Sequence, residues 1–271
     1  MSLVYFYFKS QVLLNDLECL DVNRDWHYFT TGVKCWCSQT YLQLRSRGYN
    51  VKAVHVPPER GVVCCHADDL HSLLTHPACS DAILIVCFRA DRPPQLYADF
   101  EVVQNQWSAK DARCCFIPHW PQPNLLKRDV SRSNVKTIGY KGDIGNLHPW
   151  FHTKEWLCFM KDNNLIWDLD TSSWGGGVMS HFTHWNDYSS VDLVVSVRKD
   201  LSSNSYHKPA SKLINAWHAG VPAILGSEIS CSELRITELD YVEINEVQEI
   251  KRAILDLKAD NDRYLKMIEN G

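Results

Sequence analysis

The residues best suited to chemistry cluster in one stretch, His207-Lys-Pro-Ala-Ser-Lys-Leu-Ile-Asn-Ala-Trp-His-Ala-Gly-Val-Pro-Ala-Ile-Leu-Gly-Ser-Glu228. Pro209 suits a first helical position, where no N–H is needed, and Gly220 followed by Pro222 suits a stop, so a helix is expected over 209–219. On it Ala210, Leu213, Ile214 and Trp217 share an apolar face, whereas Ser211, Lys212 and Asn215 stand opposite. The start of such a helix offers free N–H groups and positive dipole charge, and Lys208 lies beside it. Arg198 closes the preceding apolar run, at the carboxyl edge where open α/β sheets bind ligands. Cations, a helix N-terminus and a short polar face together describe a diphosphate seat. Two lysines alone would more often be a solvated face; the strand-end Arg198 and the bounded helix reverse this and favour the seat.

Other candidates stand at strand ends. Gly142 and Asp143 lie in Gly139-Tyr-Lys-Gly-Asp-Ile-Gly145, where glycines let backbone approach a phosphate or sugar, with a plain turn as the alternative. Its Gly-x-x-Gly-x-x-Gly spacing is not the dinucleotide fingerprint, so no NAD is inferred. Glu228, just past Gly226, suits either hydrogen bonding to donor hydroxyls or a helix cap. Asp168-Leu-Asp170 is a rival divalent-metal pair, but two carboxylates at a strand end are also ordinary surface residues, and the expectation is a site without metal or other cofactor. In the first half, His66 in Cys-Cys-His-Ala-Asp-Asp and Asp91 in Arg-Ala-Asp-Arg are the candidate catalytic bases for an acceptor proton. A hydrogen-bonded structural role is the alternative for His66. His119 and Trp120 are expected to line or brace a cleft.

The elements that must position these residues follow from periodicity. Strands are expected at 3–8, 51–54, 61–65, 82–88, 101–103 and 114–117, with helices at 32–47, stopped by Gly48, and around 69–74. The near-uniform apolarity of 82–88 is that of a central parallel strand. His119-Trp-Pro-Gln-Pro-Asn-Leu-Leu-Lys-Arg-Asp129 is too rich in proline to continue either element and reads as a linker. The second half begins again with strands at 135–140, 165–169 and 191–197, a helix at 150–163, a flexible Trp174-Gly-Gly-Gly177 loop, and terminal helices at 247–257 and 261–268. Two successive α/β units are most simply two open parallel sheets, an N-terminal domain over 1–122 and a C-terminal domain over 123–271.

Composition bounds the rest. With 28 Lys plus Arg against 32 Asp plus Glu in 271 residues, the net charge of −4 disfavours a dedicated nucleic-acid binder. No apolar run approaches a bilayer span, and no basic flank precedes the N-terminal apolar stretch, so neither a transmembrane segment nor a signal peptide is expected. Eleven cysteines, an odd number without a Cys-x-x-Cys pair, read as reduced thiols of a cytoplasmic protein rather than a zinc site or a disulfide framework.

The Lys208–Gly226 segment resembles the C-terminal donor-binding segment of GT-B-fold glycosyltransferases, in which a helix precedes Gly-x-Pro and a short apolar strand. The likeness is specific over 185–245; the N-terminal half matches in its βαβ rhythm and in a Gly32 loop leading into a helix. Lys212 is similar to the diphosphate-contacting lysine of the α-1,3-fucosyltransferase Thr-Glu-Lys motif, and Asn215 stands where many GT-B enzymes carry a ribose-binding glutamate. The paired glutamates of many retaining members are here His207 and Asn215. The resemblance implies two Rossmann-like domains with a donor cleft between them, an N-terminal acceptor domain, a C-terminal nucleotide-sugar domain and a terminal helix packing back across the linker. It implies transfer of a sugar from a nucleotide-diphosphate sugar, such as a UDP or GDP sugar, to a carbohydrate or other hydroxyl acceptor, as in polysaccharide biosynthesis. Arg198, Lys212 and Lys208 would stabilise the departing diphosphate without a metal. The alternatives are a nucleotide-sugar 2-epimerase of the same fold and a non-catalytic nucleotide-sugar-binding protein.

Overall fold

The computed structural model describes residues 2–175, 178–179, 183–199 and 208–271. The chain divides into two compact units, Met1–Asn124 with His207–Pro209, and Leu125–Tyr206 with Ala210–Gly271.

The first unit is built on six parallel strands: β1 (Val4–Tyr7), β2 (Val51–Val54), β3 (Gly61–His66), β4 (Ile83–Phe88), β5 (Phe100–Val103) and β6 (Cys114–Phe116), in the order β2-β1-β3-β4-β5-β6. Both faces carry a core. Phe6, Cys64 and Phe88 pack with Trp36, Tyr41 and Leu42 on one side, and Val63, Cys65, Ile85 and Cys87 with Leu70 and Leu73 on the other. Helix α1 (Gln11–Cys19), capped by the Ser10 hydroxyl on Leu13 N–H, was not evident in the sequence. The helix expected from Gly32 starts with a π-helical turn, Val33–Ser38, before α2 (Gln39–Ser46); it ends, as expected, at Gly48, whose φ of 77° suits glycine. Helix α3 (Ala67–Leu74) follows β3 directly.

The second unit has strands β7 (Thr137–Asp143), β8 (Ile166–Ser172), a short antiparallel pair β9 (Trp174–Gly175) and β10 (Val178–Met179), then β11 (Leu193–Ser196), β12 (Ala223–Gly226) and β13 (Val242–Ile244). Its main sheet is parallel, in the order β13-β12-β11-β7-β8. At its described positions the expected glycine loop instead pairs Trp174–Gly175 with Val178–Met179, and Gly176 and Gly177 lie outside the described residues. The single helix expected over 150–163 is a 3₁₀ turn, Pro149–His152, followed by α4 (Lys154–Asp162), because the Thr153 hydroxyl caps a new helix start on Trp156 N–H. Helices α5 (Ser211–Ala219), α6 (Ile229–Ser232), α7 (Ile250–Ala259) and α8 (Asn261–Asn270) complete the unit. Tyr264 and Met267 of α8 are buried in the core formed by Ile138, Trp156, Val195 and Ile254. The terminal helix is thus an integral part of the second unit, with its Tyr264 hydroxyl donating to the Asp192 carbonyl.

No helix of the described residues is long and apolar enough to cross a membrane.

Candidate functional site

Each sheet reverses its strand order once beside its first strand. In the second unit the switch lies between β7, flanked by β8, and β11, flanked by β12. A crevice outside the carboxyl ends at such a switch is where open α/β sheets bind ligands. The carboxyl end of β7 supplies Gly142 and Asp143, and Arg198 lies two residues beyond β11.

Helix α5 brings Lys212 to the same place. It begins at Ser211 with Ala210 as the cap residue, two residues later than expected, and no side chain caps its first N–H groups. Gly220 ends it in the left-handed conformation, as the sequence suggests. The Lys212 chain lies against Gly142: a Cβ built on this glycine would stand 3.2 Å from Lys212 Cε and 3.3 Å from the Tyr140 hydroxyl oxygen. Gly142 also has φ +153°, which disfavours any side chain. The ammonium sits 5.5 Å from the centroid of the buried Tyr140 ring. Burial, then the Arg198 charge, lowers its pKa to about 8, with Glu228 opposing. No carboxylate of the described residues pairs with it.

Arg198 is held from two sides. Its Nε donates to Glu228 Oε2 at 2.7 Å, and its Nη1 donates to Asn146 Oδ1 at 3.0 Å. Glu228 occupies the cap position of α6 but makes no capping bond, so its buried carboxylate orients Arg198 instead. The Asp143 carboxylate accepts from Gly145 N–H at 2.7 Å, and its carbonyl accepts from the Tyr140 hydroxyl at 2.8 Å, fixing the turn after β7. Arg198, Lys212, Glu228, Gly142 and Asp143 thus surround one place, with Ser211 at the adjacent helix start.

Two expected members are engaged elsewhere. The Lys208 ammonium donates to Asp91 Oδ2 at 2.5 Å, and its carbonyl accepts from Asn105 Nδ2, so the residue belongs to the first unit. Pro209 disfavours helical conformations at Lys208, which leaves the lysine off the α5 start. Asn215 hydrogen-bonds the buried Tyr188 phenol, rather than extending the polar face of Lys212. His207 lies outside the described residues.

The Asp168 and Asp170 pair also has an internal partner. Register places Gly139 beside Asp168 and Lys141 beside Asp170, and the Lys141 ammonium lies 3.6 Å from a carboxylate oxygen of each. Asp170 further accepts from His184 N–H. Among the described residues no group of three or more metal-ligating side chains converges.

The first unit's switch lies between β1 and β3. His66, the last residue of β3, is fully buried and caps α3: its Nδ1 accepts from Asp68 N–H at 3.1 Å. Burial lowers its pKa to about 4, so the ring is neutral and the proton is on Nε2. That Nε2 has no hydrogen-bond partner, and a Cβ on Gly32 would stand 2.8 Å from it. In this tautomer His66 is a donor beside the Gly32 backbone rather than the base expected from its strand-end position. Asp91 follows Ala90, which has a positive φ. Burial opposes its ionisation, but Lys208 and Arg92 prevail and lower its pKa. It is a carboxylate already neutralised by an ammonium, a weak base. Arg92 also clamps Asp68 through Nε and Nη2, and Lys9 reaches Asp69. His119 and Trp120, expected at a cleft, make contacts within the first unit: His119 stands edge-on to Trp36, and Trp120 donates to the Thr40 hydroxyl.

Sequence reasoning missed Tyr140 and Asn146 around the cations, and Lys9 and Arg92 around His66. Lys9, two residues past β1 at the switch, carried a positional signal; Asn146 carried none.

No family model matches the sequence, and no curated protein does. By structure the chain is similar to Anabaena HepE in complex with UDP and glucose, at TM-score 0.58 and 12% identity over 100% of this chain and 93% of that one. It is similar to AviGT4, a glycosyltransferase involved in avilamycin A biosynthesis, at TM-score 0.51 and 12% identity over 99% of this chain and 95% of that one. TarM aligns at TM-score 0.54 and 8% identity over 86% of this chain and 53% of TarM, so the chain spans about half of TarM's length. The fold is therefore α/β with GT-B architecture, two Rossmann-like domains.

Proposed function

We propose that the chain is a glycosyltransferase that takes a nucleotide-diphosphate sugar and passes the sugar to an acceptor hydroxyl. The observation that carries this reading is Lys212: a desolvated ammonium without a carboxylate partner among the described residues, one residue inside the uncapped start of α5 and against the side-chain-free Gly142. Such an ammonium fits the charge that develops on a departing diphosphate. Arg198, prealigned by Glu228 and Asn146, supplies a second cation whose geometry needs no rearrangement. The likeness of Lys212 to the fucosyltransferase lysine supports the same role. UDP is the first nucleotide to test, since HepE, with 12% identity, is similar in fold and was solved with UDP and glucose.

In this reading the diphosphate is stabilised without a metal. The Lys141 bridge to Asp168 and Asp170 supports it, because an ion at those carboxylates would have to displace that ammonium. The buried Nε2–H of His66 suits donation to a substrate oxygen beside Gly32, and Asp91 would act as base only after Lys208 releases it. The domain limits 1–122 and 123–271 divide acceptor from donor functions. Eleven free cysteines suit a cytoplasmic enzyme.

Thermal stability with UDP, GDP, ADP and CMP, with and without magnesium, tests the seat. A ligand present at about a hundred times its Kd stabilises the folded protein by roughly 2.7 kcal/mol. One diphosphate is expected to do so equally with and without magnesium, and to lose its effect in Lys212→Ala. No rise with any of them would remove the donor seat. Hydrolysis of the matching nucleotide sugar without acceptor would then distinguish an enzyme from a binding protein, and sugar isomerisation without transfer would mark an epimerase.

A further inference from the structure

The first unit contains a cavity of about 530 Å³, within the range of roughly 300–1,000 Å³ usual for small-molecule sites. It lies over the sheet face that presents Phe6, Cys64 and Phe88, and beneath Trp36 and Leu44 of the helical segment after Gly32. Ile117 and Trp120 close its side. Of its lining residues, Phe6 is 1% exposed and Tyr49 is 47% exposed.

The walls decide what can enter. Most of the lining is apolar, and two of its polar side chains satisfy each other: Trp120 Nε1 donates to Thr40 Oγ1 at 2.9 Å. A sugar or nucleobase placed inside would give up hydrogen bonds to water and recover few, a large penalty for each group. A hydrocarbon chain gives up nothing and gains contact with ring and branched side chains on every side.

A charge stands beside the lining residue Trp120. Arg47 lies with its guanidinium 5.4 Å from the Trp120 ring centroid and donates to the Gln43 carbonyl at 3.0 Å. No carboxylate of the described residues pairs with it. An apolar bore with an uncompensated cation beside its wall complements an anionic amphiphile.

We propose that this cavity binds the hydrocarbon chain of a free fatty carboxylate, with the carboxylate held by Arg47 beside Trp120. The site does not rest on the glycosyltransferase reading, since no residue of the diphosphate seat or of the His66 and Asp91 edge lines it.

Titration calorimetry of the full chain with dodecanoate, below its micelle concentration, tests the site. Saturable one-to-one binding is expected, several-fold weaker for dodecyltrimethylammonium, which has the same chain and the opposite charge. Leu44→Trp, which projects a larger ring into the bore, and the milder Val51→Phe should each weaken dodecanoate at least about tenfold, with circular dichroism confirming that both fold. Arg47→Glu should reverse the preference between the two head groups. Absence of saturable binding to the wild type overturns the proposal, as does unchanged affinity in both filled variants. Binding to phosphatidylglycerol vesicles without binding to dodecanoate would assign the face to a membrane and overturn it. A dimer in sedimentation that Leu44→Trp dissociates, with no dodecanoate bound, would assign it to a second copy and also overturn it.

Discussion

Burial lowers the pKa of both Lys212 and His66, yet they point to opposite pH behaviour in ligand binding and in stability. With its pKa near 8, Lys212 loses its proton at mildly alkaline pH, whereas a bound diphosphate needs the ammonium. UDP binding is therefore expected to take up a proton above that pH and to weaken by about tenfold for each further pH unit. Lys212→Arg, which stays charged, should bind with a flat profile between pH 7 and 9; a flat wild-type profile would count against contact between Lys212 and phosphate. For His66 the folded pKa is about 4 against an ordinary value of 6.5, so the unfolded chain binds the extra proton in that window. The stabilisation is complete above about pH 6.5 and is lost as pH falls toward 4, a loss of roughly 3 kcal/mol. His66→Asn retains an acceptor for the Asp68 N–H and should flatten that acid limb in urea unfolding at pH 4.5 and 7.5, whatever its effect at neutral pH. An identical fall in both proteins would show that another group governs it.

At the scale of elements, what positions the site is the turn after β7 and the start of α5. Gly142→Ala introduces a Cβ that must displace Lys212 Cε or the Tyr140 hydroxyl, and it strains a backbone suited to glycine, at a cost of about 1–3 kcal/mol. The larger effect should fall on UDP affinity; a variant that loses stability and keeps affinity would separate this turn from the seat. The base of the same strand depends on Asp192. Its buried carboxylate accepts from Arg132 at 2.7 Å and from the Lys136 and Thr137 N–H groups, with Arg128 3.7 Å away. Asp192→Ala leaves buried charge and N–H groups unmatched and should cost about 3–5 kcal/mol by chemical denaturation. Much of this scaffold was legible in sequence, because strands such as 82–88 and stops such as Gly48 and Gly220 report local physics. The positions of Arg198 and Lys212 were legible for the same reason, one at a strand end and one a single position inside a helix start. Lys208 was misplaced because its position in the stretch suggested the helix start, whereas its charge is satisfied by Asp91, 117 residues away in sequence. The caps by His66 and Thr153, and the pairing of Lys141 with Asp168 and Asp170, depend equally on register and backbone direction, which composition does not carry.

On the scale of the whole molecule, each unit has its own pair of cores, one on either face of its sheet, and its own switch-point edge. Binding to one edge therefore protects the segments of that unit first. The α5 start, the turn after β7 and the strand-end arginine all belong to the second unit. Its sheet also has its buried ion network, through Asp192, on the same strand pair β7 and β11 that flanks the switch. Hydrogen exchange on the full chain with saturating UDP should thus slow most at 139–146, 196–199 and 211–215. The segments around Gly32, His66 and Asp91 should change less, because they belong to the first unit. Uniform protection by UDP across both units would contradict the division of labour, and protection confined to the first unit would move the donor away from Lys212 altogether.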